Sequence, residues 1–174
     1  MPGTKHCLHG VLLVIDPPGH NTRPSCGVLL RGQPGIGKSH CALALLDRGH
    51  ALVADDAPLF NLHNDGYLLG TCPASIQDRM EVRGLGIINV RQLLGAGAVL
   101  PQHRLDIIIE LVRSHDESAS LDTASQRRLE GHWQNEHILG IPIPALTLCN
   151  PSATMLAILV EAAVRNYGLW QSRV

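Results

Sequence analysis

Short apolar runs alternate with polar tracts rich in glycine and proline, a pattern that predicts buried strands more than helices. Gly10 to Ile15 and Cys26 to Arg31 are two such runs. Asp16 to Ser25, holding Pro17, Pro18, Gly19, Asn21 and Pro24, reads as the loop between them. From Ser39 to Asp47 the spacing changes to that of a helix, and Gly49 stands where it would stop. His50 to Ala54 is a third strand, ending on Asp55-Asp56. Leu59 to Leu62 and Tyr67 to Leu69 flank Asn64-Asp65-Gly66, a hairpin pattern because Asp-Gly accepts the positive φ of a tight turn.

Arg83 to Asn89 reads as a tight turn built around Gly84 and Gly86. Leu105 to Val112 is apolar and β-branched, another core strand. Ser114 to Glu136 is polar and reads as a mobile connection with room for one short helix. Ala145 to Leu148 is the last predicted strand. Pro151 to Tyr167 is a terminal helix, with Leu156, Leu159, Val160, Ala163 and Val164 at helical spacing. No internal repeat or long linker interrupts the 174 residues, so one α/β domain over 1–174 is expected.

Composition narrows the function. The chain has five aromatic residues (two Trp, two Tyr, one Phe), so aliphatic side chains must fill its core. The formal net charge is -1 and no basic run occurs, which gives no electrostatic support to a nucleic-acid or membrane-surface role. No apolar run reaches membrane-spanning length, and the first residues lack a signal-peptide pattern. Cys7, Cys26, Cys41, Cys72 and Cys149 are odd in number and none form a CxxC pair. They read as reduced thiols of a cytoplasmic protein rather than a disulfide framework or zinc site.

The densest chemistry is Gly32-Gln33-Pro34-Gly35-Ile36-Gly37-Lys38-Ser39, which satisfies G-x-x-x-x-G-K-[ST] between a strand and a helix. Glycines let successive backbone N–H groups converge on one phosphate, and the following helix adds the positive end of its dipole. Lys38 is expected to reach the β- and γ-phosphates and the Ser39 hydroxyl to hold Mg²⁺. Asp55 and Asp56 at a strand end suit phosphoryl transfer, one carboxylate as base and the other near metal or water. The bland alternative is a solvated turn with an N-cap aspartate. Glu81, His9 and Arg128 would not stand out alone, since isolated charges are usually solvated.

Taken together, these segments resemble the catalytic domain of HPr kinase/phosphorylase. The likeness runs through His9 to Leu12, the loop Gly32 to Ser39, Arg48 to Asp56, Glu81 to Val90 and Leu94 to Val99, and returns weakly at Leu156 to Ala163. Arg83-Gly84-Leu85-Gly86-Ile87-Ile88 is its most specific block. The resemblance implies a P-loop-containing, phosphoenolpyruvate carboxykinase-like α/β fold with a mostly β core and flanking helices. It implies an ATP- and Mg²⁺-dependent serine kinase acting on HPr of the phosphotransferase system, and assembly into homo-oligomers, commonly hexamers. Residue by residue, it makes Lys38 catalytic through the phosphates and Ser39 and Glu81 the Mg²⁺ ligands. Asp56 becomes the proton acceptor, with Asp55 beside it, and His9 lines the phosphate site. Arg128, beside Arg127, stabilises the transferring group.

Departures from the family pattern carry expectations of their own. The chain looks like the short form that lacks an N-terminal domain. The loop from Asp16 to Ser25 is longer than usual, and His40 stands where a glutamate commonly follows the loop serine. Cys149-Asn150-Pro151-Ser152-Ala153-Thr154-Met155 replaces a Pro-Val-Arg-Pro-Gly-Arg-Asn stretch tied to phosphorolysis. Two anion-binding arginines are lost there, so kinase activity is expected to outlast phosphorylase activity. Two other readings stay open: the same chemistry on another protein, peptide or small-molecule acceptor, and a nucleotide-binding regulatory module without transfer.

Overall fold

The computed structural model describes residues 5–16, 24–113, 132–149 and 152–171. In chain order its strands are β1 (His6–Cys7), β2 (Val11–Ile15), β3 (Cys26–Gly32), β4 (Ala51–Ala54), β5 (Leu59–Leu62) and β6 (Leu68–Thr71). There follow β7 (Arg79–Val82), β8 (Gly86–Asn89), β9 (Gln102–Arg104), β10 (Ile107–Val112), β11 (His132–Ile138) and β12 (Ile141–Cys149). The α-helices are α1 (Lys38–Asp47), α2 (Val90–Leu94) and α3 (Ala153–Gln171).

A six-stranded sheet, ordered β11-β12-β10-β3-β2-β4, forms the centre. β3, β10 and β12 run parallel, whereas β2 is antiparallel to both its neighbours, β3 and β4. β2 and β4 are buried along their whole length, as expected of strands covered on both faces. Alternation along the central strands sends side chains into two cores. Val11, Leu13, Ile15, Val28, Leu30, Ile107 and Ile109 meet Cys41, Leu45, Leu156 and Val160 from α1 and α3. Leu12, Val14, Leu29, Val53 and Ile108 meet Phe60 and Leu68 of a second sheet, ordered β1-β5-β6-β9. The result is helices, a central sheet and a smaller sheet in three layers.

The predicted strands and helices are present with small shifts at their ends. The β5–β6 hairpin closes through His63 N–H to Tyr67 O at 2.8 Å, and Gly66 takes φ 81° as its sequence predicted. Two expectations need correction. The polar tract after Ser114 does not stay irregular to Glu136, because β11 begins at His132. It is an edge strand with one partner, so its polar alternation fits a largely solvated face. β12 starts at Ile141 rather than Ala145. Its two prolines, Pro142 and Pro144, pair only with β11, and pairing with β10 begins at Ala145. A missing N–H is tolerated where one edge of a strand is open.

Candidate active site

Topology brings the phosphate loop, Asp55-Asp56 and His9 to one edge. β3 and β4 both oppose β2, so their C-terminal ends lie beside its N-terminal end. The phosphate loop follows β3, Asp55-Asp56 follows β4, and His9 precedes β2. Ligands in open α/β sheets gather at such carboxyl ends. Here a cleft of about 360 Å³ is lined by His9, Pro34, Gly35, Gly37, Lys38, Ser39, His40, Asp55, Asp56, Glu81 and Arg83.

The loop is held open for a ligand. Gly32 has φ 139°, and a Cβ there would stand 2.5 Å from the Leu111 carbonyl oxygen, so only glycine fits. Ile36 is buried and its N–H donates to Gln33 O at 3.2 Å, which anchors the loop from beneath. Gly37, at φ 104°, caps α1 without any side-chain hydrogen bond, and the first helical turn carries no acid. Lys38 Nζ donates to the carbonyls of Gly32 at 2.7 Å and Gln33 at 3.2 Å. Its ammonium is thus folded over the loop, within the same cleft.

Asp55 and Asp56 occupy different surroundings. Asp55 is 8% exposed and its Oδ2 accepts the Glu81 N–H at 2.9 Å, which fastens β7 to the end of β4. Burial pushes its carboxyl above the usual range, the Glu81 N–H opposes this, and the charges of Asp56 and Glu81 add to the rise. Asp56 is open to solvent, with its side chain 72% exposed and Oδ1 3.0 Å from His9 Nδ1. Its φ of 66° is a left-handed conformation that costs a non-glycine residue about 1–2 kcal/mol. The fold holds it there: Asp56 O accepts the Gly10 N–H, and Ala57 N–H donates to Asp55 O.

Glu81 and Arg83 come from β7 and its turn. Met80 and Val82 alternate inward, so Glu81 and Arg83 face out along the cleft. Leu85 N–H donates to Val82 O at 2.9 Å, and Gly84 and Gly86 take φ 95° and 80°, closing the predicted turn as a hairpin. The sequence missed both its paired strands and the role of Asp55 in holding it. Glu81 and Ser39 line the same cleft as Asp55 and Asp56. Among the described residues no three His, Cys, Asp or Glu side chains form a self-contained metal site. A hydroxyl and carboxylates beside a phosphate loop are hard oxygen donors that fit Mg²⁺, which takes its other ligands from phosphates and water. Arg128 lies outside the described residues.

Known proteins resemble this chain in sequence and in backbone. The family model described as HPr Serine kinase C-terminal domain matches residues 3–174. An HPr kinase/phosphorylase of Xanthomonas campestris pv. campestris is 43% identical over 158 residues, 91% of this chain and 46% of that protein. One from Xanthomonas oryzae pv. oryzae matches to the same extent. The chain therefore spans about half the length of the curated relatives it matches. The solved structure of the Hpr(Ser) kinase/phosphatase from Coxiella burnetii superposes with a TM-score of 0.81 and 34% identity, over 97% of this chain and 99% of that one. Likeness that runs from residue 3 to residue 174 and extends to the backbone settles the family: this chain belongs to the HPr Serine kinase C-terminal domain family.

Proposed function

We propose that this chain is an ATP- and Mg²⁺-dependent protein serine kinase whose acceptor is HPr, the phosphocarrier protein of the phosphotransferase system. The observation that carries the reading is the meeting of a complete phosphate loop and an exposed, conformationally fixed Asp56 in one cleft. The names of the relatives, HPr kinase/phosphorylase and Hpr(Ser) kinase/phosphatase, supply the acceptor.

In this reading the loop N–H groups and the first turn of α1 bind the triphosphate of ATP. Lys38 leaves the carbonyls of Gly32 and Gln33 for phosphate oxygens. Ser39 and Glu81 hold Mg²⁺, which when bound neutralises charge on those oxygens. Asp56 accepts the proton of the acceptor serine hydroxyl. The new serine O–P bond forms as the bond from the γ-phosphorus to the ADP oxygen breaks. His9 orients the Asp56 carboxylate for that transfer, and Asp55 fixes the Glu81 strand beside it. Positioning and charge stabilisation supply the catalysis.

The loss of two arginines around Cys149 to Met155 supports weak or absent phosphorolysis of phosphoserine. The free thiols among the described cysteines favour a cytoplasmic setting, and the family resemblance favours a homo-oligomer, a hexamer among the options. No described helix is long and apolar enough to cross a membrane. The test is transfer of labelled γ-phosphate from Mg-ATP to HPr, with Lys38→Ala as control. Serine labelling that vanishes in the control supports the reading. Nucleotide binding with no labelling would redirect it to another acceptor or to a regulatory module. Brisk pyrophosphate release from phospho-HPr would refute the phosphorylase part.

A further inference from the structure

Ser25 and His103 meet at the end of β3 that lies away from the phosphate loop. Ser25 Oγ is 3.1 Å from His103 Nε2. His103 Nδ1 is 2.8 Å from the carbonyl oxygen of Arg104. A carbonyl oxygen only accepts, so the ring hydrogen sits on Nδ1 and is donated to Arg104 O. On the neutral ring Nε2 then holds a lone pair, and the Ser25 hydroxyl donates to it. A hydroxyl bonded to a bare imidazole nitrogen, with the other nitrogen held by a third group, is the arrangement that activates a serine.

The fold fixes each part. Ser25 directly precedes β3, and His103 is the middle residue of β9. Gly27 lets the two segments meet, since a Cβ there would lie 1.8 Å from Arg104 O and 2.8 Å from His103 Nδ1. On its other side β9 pairs His103 with Gly70 of β6. Asp106 stands beside the pair: its Oδ2 accepts the Gly27 N–H at 2.8 Å, and its Oδ1 lies 2.9 Å from Arg104 Nε. Burial pushes its carboxyl pKa up, and the Gly27 N–H, Arg104 and His103 oppose that rise. An aspartate that senses the His103 charge in turn favours the imidazolium that forms when a serine proton arrives. Ser25 and His103 are both half-buried, which leaves the pair within reach of a small reagent. The seven residues of β3 separate it from the phosphate loop by roughly 23 Å.

We propose that Ser25 is a nucleophile and His103 its general base, in a surface site that takes small activated carboxylic esters. The site goes beyond the kinase reading and does not depend on it. Ser25 Oγ bonds to the carbonyl carbon of the ester while its proton passes to His103 Nε2. The bond from that carbon to the leaving oxygen breaks, the leaving group takes the proton from Nε2, and acyl-Ser25 remains. Water then attacks the acyl carbon and gives a proton to the same Nε2. The bond to Oγ breaks, Oγ recovers that proton, and the carboxylic acid departs.

The test uses the full chain with p-nitrophenyl acetate as the probe. Wild type should release p-nitrophenol in a burst of about one equivalent per chain, and peptide mapping should find the acetyl group on Ser25. Ser25→Ala should lose the burst. His103→Asn should slow it on the order of 10²-fold, the worth of a positioned base. An asparagine amide can still donate to Arg104 O, and the urea midpoint of this variant separates loss of the base from loss of the fold. Ser25→Cys gives a second reading that keeps the imidazole: its thiol should be alkylated by iodoacetamide faster than the exposed Cys7. A wild type without a burst, or with acetyl groups only on other residues, would overturn the assignment. So would a folded His103→Asn that reacts within about threefold of wild type, or a Ser25→Cys thiol no faster than Cys7.

Discussion

His9 and Asp56 face each other across the β2–β4 edge, Nδ1 to Oδ1 at 3.0 Å. Neither is buried, and the contact exists because the backbone brings both there. Gly10 N–H donates to Asp56 O, which sets the start of β2 beside the end of β4. Asp56 then carries a left-handed φ, so its carboxylate leaves the strand direction and meets the imidazole. Strained residues of this kind cluster where function fixes a side chain.

If Asp56 is the base, Asp56→Asn should reduce transfer on the order of 10²- to 10⁴-fold, the usual worth of a positioned base. Nucleotide binding should stay within a few-fold of wild type, because the loop and Lys38 are untouched. His9→Gln should cost roughly tenfold, about one hydrogen bond to a charged group. Stopped-time labelling together with nucleotide titration measures both effects. Unchanged transfer in Asp56→Asn would end the assignment of the base.

Asp55 stands to lose rate and gain stability on the same substitution. Its folded pKa is raised, so its favourable contribution is full below the unfolded value and lost as pH rises through the folded one. At neutral pH the buried carboxylate, with Asp56 and Glu81 near it, is a net cost to folding. Asp55→Asn removes the charge and keeps an oxygen for the Glu81 N–H. We expect a melting temperature equal to wild type or about 2–4 °C higher in metal-free buffer, equivalent to roughly 1 kcal/mol. Added Mg²⁺ with ATP should stabilise wild type more than the variant. A clear fall in melting temperature without Mg²⁺ would contradict the account.

The contrast between these two aspartates shows what sequence can convey. The phosphate loop was readable because its chemistry is local: glycines, a lysine and a serine at fixed spacing between a strand and a helix. The buried strands were readable because β2, β3 and β10 are apolar nearly throughout. The different surroundings of Asp55 and Asp56, one buried and one exposed, were not, because Asp55 is enclosed by the Glu81 N–H arriving from a hairpin. β11 was hidden for a different reason: its residues, His132 to Ile138, follow the demands of one partner strand and solvent. Glu161 left a trace, an acid on the stripe that buries Leu156, Ala157 and Val160. That position called for a buried basic partner, but only the tertiary fold could name Arg48 and His50.

Gly27 yields a prediction that its neighbours in sequence do not suggest. It sits inside β3, and a Cβ there would lie 1.8 Å from the Arg104 carbonyl oxygen. The obstacle is backbone, so no rotamer relieves it. Gly27 N–H also donates to Asp106 Oδ2, and Asp106 N–H donates to Gly27 O, which locks β3 against the β9–β10 connection. Gly27→Ala should therefore destabilise by about 3 kcal/mol, the upper range for overpacking. Urea unfolding measures this, and an unchanged midpoint would show that the two segments separate more easily than their contacts imply.

Glu161 ties the two helices and the aspartate strand together, and its pH dependence is open to measurement. Its side chain is 4% exposed. Arg48, at the end of α1, donates through Nε and Nη2 to Oε1 and Oε2 at 2.5 and 2.8 Å. His50, at the start of β4, lies 2.9 Å from Oε1 through Nε2. The Asp16 N–H donates to His50 Nδ1, so the ring hydrogen is on Nε2 and is given to Glu161. The Arg48 hydrogen bond is the main force that lowers the Glu161 pKa to about 2; burial opposes it and His50 reinforces it. The folded value lies below the unfolded one. The stabilisation is therefore complete above the unfolded value near 4.5 and is lost as pH falls through the folded value of about 2. Glu161→Gln should lower stability at pH 7 by about 2–3 kcal/mol, less than a wholly buried pair because Arg48 is partly solvated. Between pH 4.5 and pH 2 wild type should lose more stability than Glu161→Gln, so the two urea midpoints converge. Parallel curves over that interval would mean that Glu161 carries no such shift and that the helix clamp depends on packing alone.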